Sequence, residues 1–234
     1  MMALVDVRFR FSDETPEILR GVSLRVEQGE IVGLVGAAGA GKSSVVKILC
    51  GLRPPESGSV FLGDRDLAHL APAALRRAQS GFGVAFQNLA LFDRLTIEDN
   101  VALPLLRRGM PNADALNAAR KQLTAVGLAE AYTKLPRALS GGMRRRAALA
   151  RALIGDPPAC LFDDPFTGLD PVACARIGRL IATTRARGAA TLVASSDPTA
   201  LTPICDRMLL LENGTIVFDG PPAAFTARPL SIAG

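Results

Sequence analysis

The run Gly36-Ala37-Ala38-Gly39-Ala40-Gly41-Lys42-Ser43 fits the pattern G-x-x-x-x-G-K-[ST]. Glycines at these spacings let successive backbone N–H groups curl around an anion, and a helix starting at Lys42 adds positive potential from its N-terminus. The Lys42 ammonium suits the β- and γ-phosphates of a nucleoside triphosphate, and the Ser43 hydroxyl suits Mg²⁺. The flanks agree: Ile31–Val35 is an apolar run that reads as a buried strand, and Ser44–Leu49 reads as the first turns of a helix. Strand, loop and helix in that order make a phosphate cradle, with Gly36, Gly39, Ala40, Gly41, Lys42, Ser43 and Ser44 as its contacts.

Two further segments carry chemistry. Cys160-Leu161-Phe162-Asp163 is an apolar run ending in a carboxylate. A strand end beside a phosphate loop is where a Mg²⁺ partner belongs, which points to Asp163. Asp164 follows directly, where a second carboxylate could polarise an attacking water. Taken alone, the pair also fits a solvated turn before Pro165. In Leu139-Ser140-Gly141-Gly142-Met143, Ser140 fits a helix N-cap ahead of an Arg-rich first turn. That is an ordinary cap or, beside a phosphate loop, a second anion-binding helix start.

The elements that must position these groups read as an α/β protein. Strands are expected over Leu4–Phe11, Val22–Val26, Ser59–Leu62, Phe82–Phe86, Ala159–Phe162 and Thr191–Ser195, with a hairpin of Met208–Leu211 and Thr215–Phe218 across Glu212-Asn213-Gly214. Leu70–Arg77 and Val172–Arg187 read as helices, and the Ala-, Leu- and Arg-rich stretch from Leu95 to about Leu153 reads as mainly helical. The outline over residues 1–234 is one unit: a nucleotide-binding core of 1–86 and 156–220, a helical insert of about 87–155, and a short tail of 221–234.

Composition narrows the function. The 234 residues are 49% apolar, enough for a large core, and the net charge of +5 is too modest to argue for nucleic acid. The 4 cysteines, Cys50, Cys160, Cys174 and Cys205, lie far apart and read as reduced, mostly buried thiols. His69 is the 1 histidine, which argues against a histidine metal cluster or a Ser-His-Asp triad. No signal peptide is expected, and no apolar run reaches the ~18–20 residues that cross a bilayer, so membrane work would need another chain.

With these motifs in order along nearly the whole chain, the sequence resembles the nucleotide-binding subunits of ABC transporters. Gly36–Ser43 is similar to the Walker A loop and Gln87 to the Q-loop. Leu139–Met143 is similar to the signature motif, Cys160–Asp163 to the Walker B strand, and Gly168-Leu169-Asp170 to the D-loop. Phe11 stands where the family stacks an aromatic ring on adenine, although Phe9 and Phe11 also fit a strand facing the core. The resemblance implies the ABC ATPase fold: a P-loop NTPase core, an antiparallel β subdomain and an inserted α-helical subdomain. It implies ATP and Mg²⁺ as cofactors, Mg²⁺ or water contacts from Ser43, Gln87 and Asp163, and an ATPase dimer. In that head-to-tail pair each ATP lies on one subunit's Walker A loop and under the Ser140, Gly141 and Gly142 of the other, with Asp170 nearby. An integral-membrane permease would be the further partner, which puts the chain peripherally on the cytoplasmic face of a bacterial inner membrane.

Two positions depart from the family pattern. The carboxylate after Walker B is usually glutamate and here is Asp164; the switch histidine is replaced by Ser196. Both are shorter, and displacing a general base by ~1 Å can cost on the order of a hundredfold. Slow hydrolysis is therefore expected, unless a small backbone adjustment restores the reach of the aspartate. Met143 replaces the usual signature glutamine. Residues 139–152 and 162–171 are similar to Mla/Mce phospholipid-transport ATPases, which implies phospholipid cargo, an MCE-domain lipid-binding protein and a STAS-domain regulator as partners. Residues 100–105 share that similarity but also resemble methionine importers and lipoprotein-releasing ATPases. The alternatives are an ABC importer of another small substrate and an ATP-gated subunit that does not hydrolyse. Arg144–Arg146 fit either a solvated face or added positive charge near the nucleotide, permease or headgroups.

Overall fold

The structure, a computed structural model, describes residues 1–225. In chain order the strands and helices are β1 (Met2–Phe9), β2 (Leu19–Val26), β3 (Ile31–Val35), α1 (Lys42–Leu49), β4 (Ser57–Leu62), β5 (Arg65–Asp66), α2 (Pro72–Gln79), β6 (Phe82–Ala85), α3 (Ile97–Arg107), α4 (Asn112–Ala125), α5 (Gly141–Leu153), β7 (Ala159–Asp163), α6 (Pro171–Ala186), β8 (Ala190–Ser195), α7 (Pro198–Leu201), β9 (Arg207–Glu212) and β10 (Thr215–Gly220). The tail expected over 221–234 is described only to Phe225, and the rest lies outside the described residues.

Two sheets form. A 6-stranded sheet has the order β10-β9-β3-β8-β7-β6, parallel except for the antiparallel β9–β10 hairpin at one edge. A 4-stranded antiparallel sheet has the order β2-β1-β4-β5. β3, β7 and β8 are buried along their whole length, as parallel strands covered on both faces must be. Their alternation decides which residue faces which layer. Val32, Leu34, Leu161 and Leu192 pack with α1 and the antiparallel sheet, while Ile31, Val35, Phe162 and Val193 pack with α5 and α6.

A third cluster draws on helices and the loops between them. Ile97, Val101 and Leu105 on α3 and Ala115, Ala119 and Leu123 on α4 recur every fourth residue, which stacks each set on one helix face. α5 belongs to two clusters at once: Ala147 and Ala150 face α3 and α4, whereas Leu149, Ala152 and Leu153 face the large sheet. It can lie close to β6 because residue 83 is glycine. A Cβ there would stand 1.9 Å from the Ala152 carbonyl oxygen and 2.7 Å from Pro157.

Strand positions match the sequence expectations with one correction that bears on the site. β1 starts at Met2 and ends at Phe9, so Phe9 is a buried strand residue and Phe11 is not in the strand at all. The short β5 and α7 were not expected; each has too few residues for a periodic signal.

Gly83→Ala is expected to destabilise the chain by about 2–3 kcal/mol or more, because the backbone of α5 must back away from the sheet. Urea denaturation of the two proteins checks this through the midpoint.

Candidate nucleotide-binding site

Parallel β3, β8, β7 and β6 end on the same edge of the large sheet, and a candidate group lies just beyond each end. After Val35 comes the glycine-rich loop, after Asp163 comes Asp164, after Ser195 comes Ser196, and just after Ala85 comes Gln87. The register holds these ends level: Val35 pairs with Ser195, Asp163 with Ala194 and Ala85 with Phe162. Open parallel sheets bind ligands at this edge.

The loop folds into a tight cage. Gly41 takes φ 104°, a left-handed conformation, and a Cβ there would meet Leu19 at 2.8 Å, so glycine is required on both counts. Lys42 is 6% exposed, and its Nζ donates to the carbonyl oxygens of Gly36 at 2.8 Å and Ala37 at 3.0 Å. Burial lowers the Lys42 pKa, and the charges of Asp164 and Asp163 oppose that shift. The first turn of α1 has neither a side-chain cap nor an acidic residue. Its N–H donors and its dipole are left for an external anion.

Asp163 is 4% exposed and accepts a hydrogen bond from Ser43 Oγ at 3.1 Å, which joins the loop after β3 to the end of β7. Burial raises its pKa, partly offset by the Ser43 hydrogen bond and raised further by the Asp164 charge. A buried carboxylate in that state favours a cation beside it. Asp164 has φ 50°, donates its N–H to Ala194 O at 2.9 Å, and buries an Oδ1 that has no hydrogen-bond partner among the described residues. Gln87 is exposed and lines one cavity with Ser43, Lys47 and Asp163. Ser196 is exposed at the end of β8.

These residues fit MgATP. The buried ammonium held by two carbonyls, the uncapped helix start and the carboxylate oxygen without a partner all lie just beyond the ends of β3 and β7. Ser43, Gln87 and Asp163 would hold Mg²⁺, which supplies charge neutralisation at the phosphates. Among the described residues no cluster of three or more His, Cys, Asp or Glu could hold a metal alone. That agrees with Mg²⁺, which is held by one or two carboxylates together with phosphate oxygens and water.

Beside the loop lies a cavity of about 420 Å³ lined by Phe11, Ile18, Ala37, Ala38, Gly39 and Ala40 among others. Phe11 is 60% exposed there. The Arg53 guanidinium lies 4.8 Å from its ring centre and 5.4 Å from that of Phe9, a cation–π contact that sequence reading missed.

The remaining candidates gather elsewhere. Ser140, Gly142 and Asp170 line a separate cavity of about 320 Å³ with Met143, Arg146 and Arg176, and it shares no lining residue with the two cavities at the loop. Ser140 caps α5 by accepting from the Met143 N–H at 3.3 Å, and Asp170 caps α6 by accepting from the Ala173 N–H at 2.8 Å. Gly141 is the first residue of α5. Arg144 faces solvent, but Arg145 and Arg151 turn inward and donate only to backbone carbonyls. An arginine-rich helix start hinted at them, but which way each arginine turns depends on loops distant in sequence.

The family model described as ABC transporter matches residues 19–167, which include the loop, Gln87, Ser140 and Asp163. The chain belongs to the ABC transporter family. Among its curated relatives are the methionine import ATP-binding protein MetN of Mesorhizobium japonicum, 37% identical over 99% of this chain and 63% of that protein, and the phosphonates import ATP-binding protein PhnC 1 of Rhodopseudomonas palustris, 38% identical over 97% and 83%. The chain therefore spans a little under two thirds of the length of that MetN relative. Among solved structures it is similar to the ATP-binding cassette MJ0796, a dimer in a post-hydrolysis state bound to ADP and Pi, with TM-score 0.89, 27% identity and coverage of 96% of this chain and 100% of that one. The fold of this ABC chain is the ABC ATPase fold.

Asp163→Asn removes a buried charge, so without nucleotide it is expected to melt at the parental temperature or above. With MgATP at ~100 times the parental Kd, the parent is expected to gain about 5–10 °C and the variant far less. Differential scanning fluorimetry with and without MgATP checks both halves.

Proposed function

We propose that this chain is the ATP-binding and ATP-hydrolysing subunit of an ABC transporter, working as a head-to-tail pair. The observation that carries the reading is the separation of two anion-ready helix starts on one chain. Ala37–Ala40 of the phosphate loop and Ser43 at the start of α1 line cavities that share no residue with the one lined by the Ser140-capped start of α5. Two copies related by a twofold axis bring each cradle against the other copy's α5, which completes two equivalent sites. The solved relative MJ0796 is itself a dimer with ADP and Pi, which supports this arrangement. Among the described residues no helix is long and apolar enough to cross a membrane, so the pair would act through a separate permease at the cytoplasmic face.

In this reading Lys42 and the α1 amides hold the phosphates, Ser43, Gln87 and Asp163 hold Mg²⁺, and Asp164 orients the attacking water. Phe11 stacks on the base. Ser140, Gly141, Gly142 and Asp170 close the site from the other copy. Asp164 and Ser196 are both shorter than the glutamate and histidine of the family pattern, so turnover is slow. Asp164→Glu/Ser196→His is expected to raise steady-state ATP turnover by roughly tenfold or more; no increase in phosphate release would refute the slow-turnover reading.

For cargo, import of a small substrate is the better supported reading, since the relatives MetN and PhnC 1 are import ATPases. Phospholipid movement is the second reading and rests on residues 139–152 and 162–171. Stimulation of ATP turnover by candidate cargoes, in the chain co-purified with its permease, separates the two.

Complementation tests the paired site. Chains carrying Lys42→Ala or Ser140→Glu are each expected to lose turnover. A mixture is expected to recover part of it, because a mixed pair holds one intact site. No recovery in the mixture, with both variants folded, would refute the shared site.

A further inference from the structure

α5 grips two catalytic loops by their backbones. In its second turn, a single nitrogen of Arg145, Nη1, lies 2.6 Å from the carbonyl oxygen of Thr167, 3.1 Å from that of Pro165 and 3.4 Å from that of Asp164. Further along, Arg151 donates to the carbonyl of Ala90 at 2.6 Å and of Leu89 at 2.8 Å. Each arginine holds a turn that contains non-glycine residues in left-handed backbone: Asp164 at φ 50°, Leu89 at φ 63° and Ala90 at φ 47°. Such conformations cost on the order of 1 kcal/mol or more each and persist only where surrounding contacts enforce them. Convergence of three carbonyls on one cationic nitrogen is a contact of that kind.

The helix is suited to the task. It is packed against the helical cluster on one side and the large sheet on the other. Its N-cap, Ser140, is the residue proposed to meet the nucleotide of the other copy. Arg145 stands five positions on, so whatever seats Ser140 also sets the turn that carries Asp164.

We propose that Arg145 is a positioning residue for hydrolysis: by gathering the carbonyls of Asp164, Pro165 and Thr167 onto one guanidinium nitrogen, it sets the place of the Asp164 carboxylate from the helix that begins at Ser140. The inference rests on the reading of Asp164 as the group that orients the water. It makes a specific demand on side-chain chemistry. Because Nη1 shares its two N–H donors among three carbonyls, a lysine ammonium, with three donors on a stem one bond shorter, can replace it, whereas the uncharged glutamine amide, two bonds shorter, cannot.

The test measures kcat and KM for ATP, and MgATP affinity by calorimetry, on the full chain and the variants Arg145→Gln, Arg145→Lys, Asp164→Asn and Arg145→Gln/Asp164→Asn. Arg145→Gln is expected to lower kcat by about tenfold to a hundredfold with MgATP affinity within about twofold of the parent. Arg145→Lys is expected to restore kcat to within about threefold, and the double variant to be no slower than Asp164→Asn alone. Arg145→Ala takes the place of the glutamine variant if that one fails to fold. Parental kcat in Arg145→Gln alongside an inactive Asp164→Asn overturns the positioning role alone. Parental kcat in Asp164→Asn overturns the reading of Asp164 and the positioning role with it. Affinity falling in step with kcat, or a lysine variant no better than glutamine, marks a merely structural contact and also overturns it.

Discussion

Four parallel strands ending level on one edge constrain everything else in this molecule. A parallel sheet must be buried on both faces, so its strands are continuous apolar runs and cannot themselves carry polar chemistry. The chemistry is pushed to the strand ends, where the backbone leaves the sheet. That is why Lys42, Ser43, Asp163, Asp164, Gln87 and Ser196 come from separate stretches of sequence and still share one edge. The Ser43–Asp163 hydrogen bond is the local expression of this constraint, tying the ends of two strands that are not direct neighbours.

The electrostatics of that edge are built and left unsettled. Lys42 is buried on two neutral carbonyls, Asp163 is buried with a raised pKa, and Asp164 has an oxygen without a hydrogen-bond partner among the described residues. Each is a cost in the free chain. A triphosphate with its metal would offset them together, so ligand binding would regain what folding lost. The cysteines have no part in this. Burial pushes the Cys50 thiol up to about 11 and those of Cys160 and Cys205 to about 12, which makes them inert core residues.

Much of this was legible in the sequence because its signals are local. A glycine-rich loop between an apolar strand and a helix, or an apolar run ending in aspartate, is complete within a short stretch of chain. Ser140 caps its helix in the way its residue type suggests. What stayed hidden depends on residues far apart. The sequence pattern carries apolar and aromatic residues on to Phe11, yet the chain leaves the sheet at Phe9, and only the fold brings Arg53 over the Phe11 ring. Arg144, Arg145 and Arg146 are adjacent and alike in sequence, but they differ in direction. Arg144 meets solvent, Arg145 meets the turn after β7, and Arg146 buries its Nε without a hydrogen-bond partner among the described residues. Gly83 gave no signal in the sequence, since its role is the close approach of α5.

Everything proposed for this chain requires the Lys42 cage to be a preformed phosphate site. Calorimetric titration of the parental chain and of Lys42→Met with MgATP tests this most directly. The parent should bind one ATP per chain, and Lys42→Met should bind it ~100-fold more weakly, the loss of a buried charge-assisted contact of roughly 3 kcal/mol. Equal affinities in the two proteins, or no binding by the parent, would contradict it.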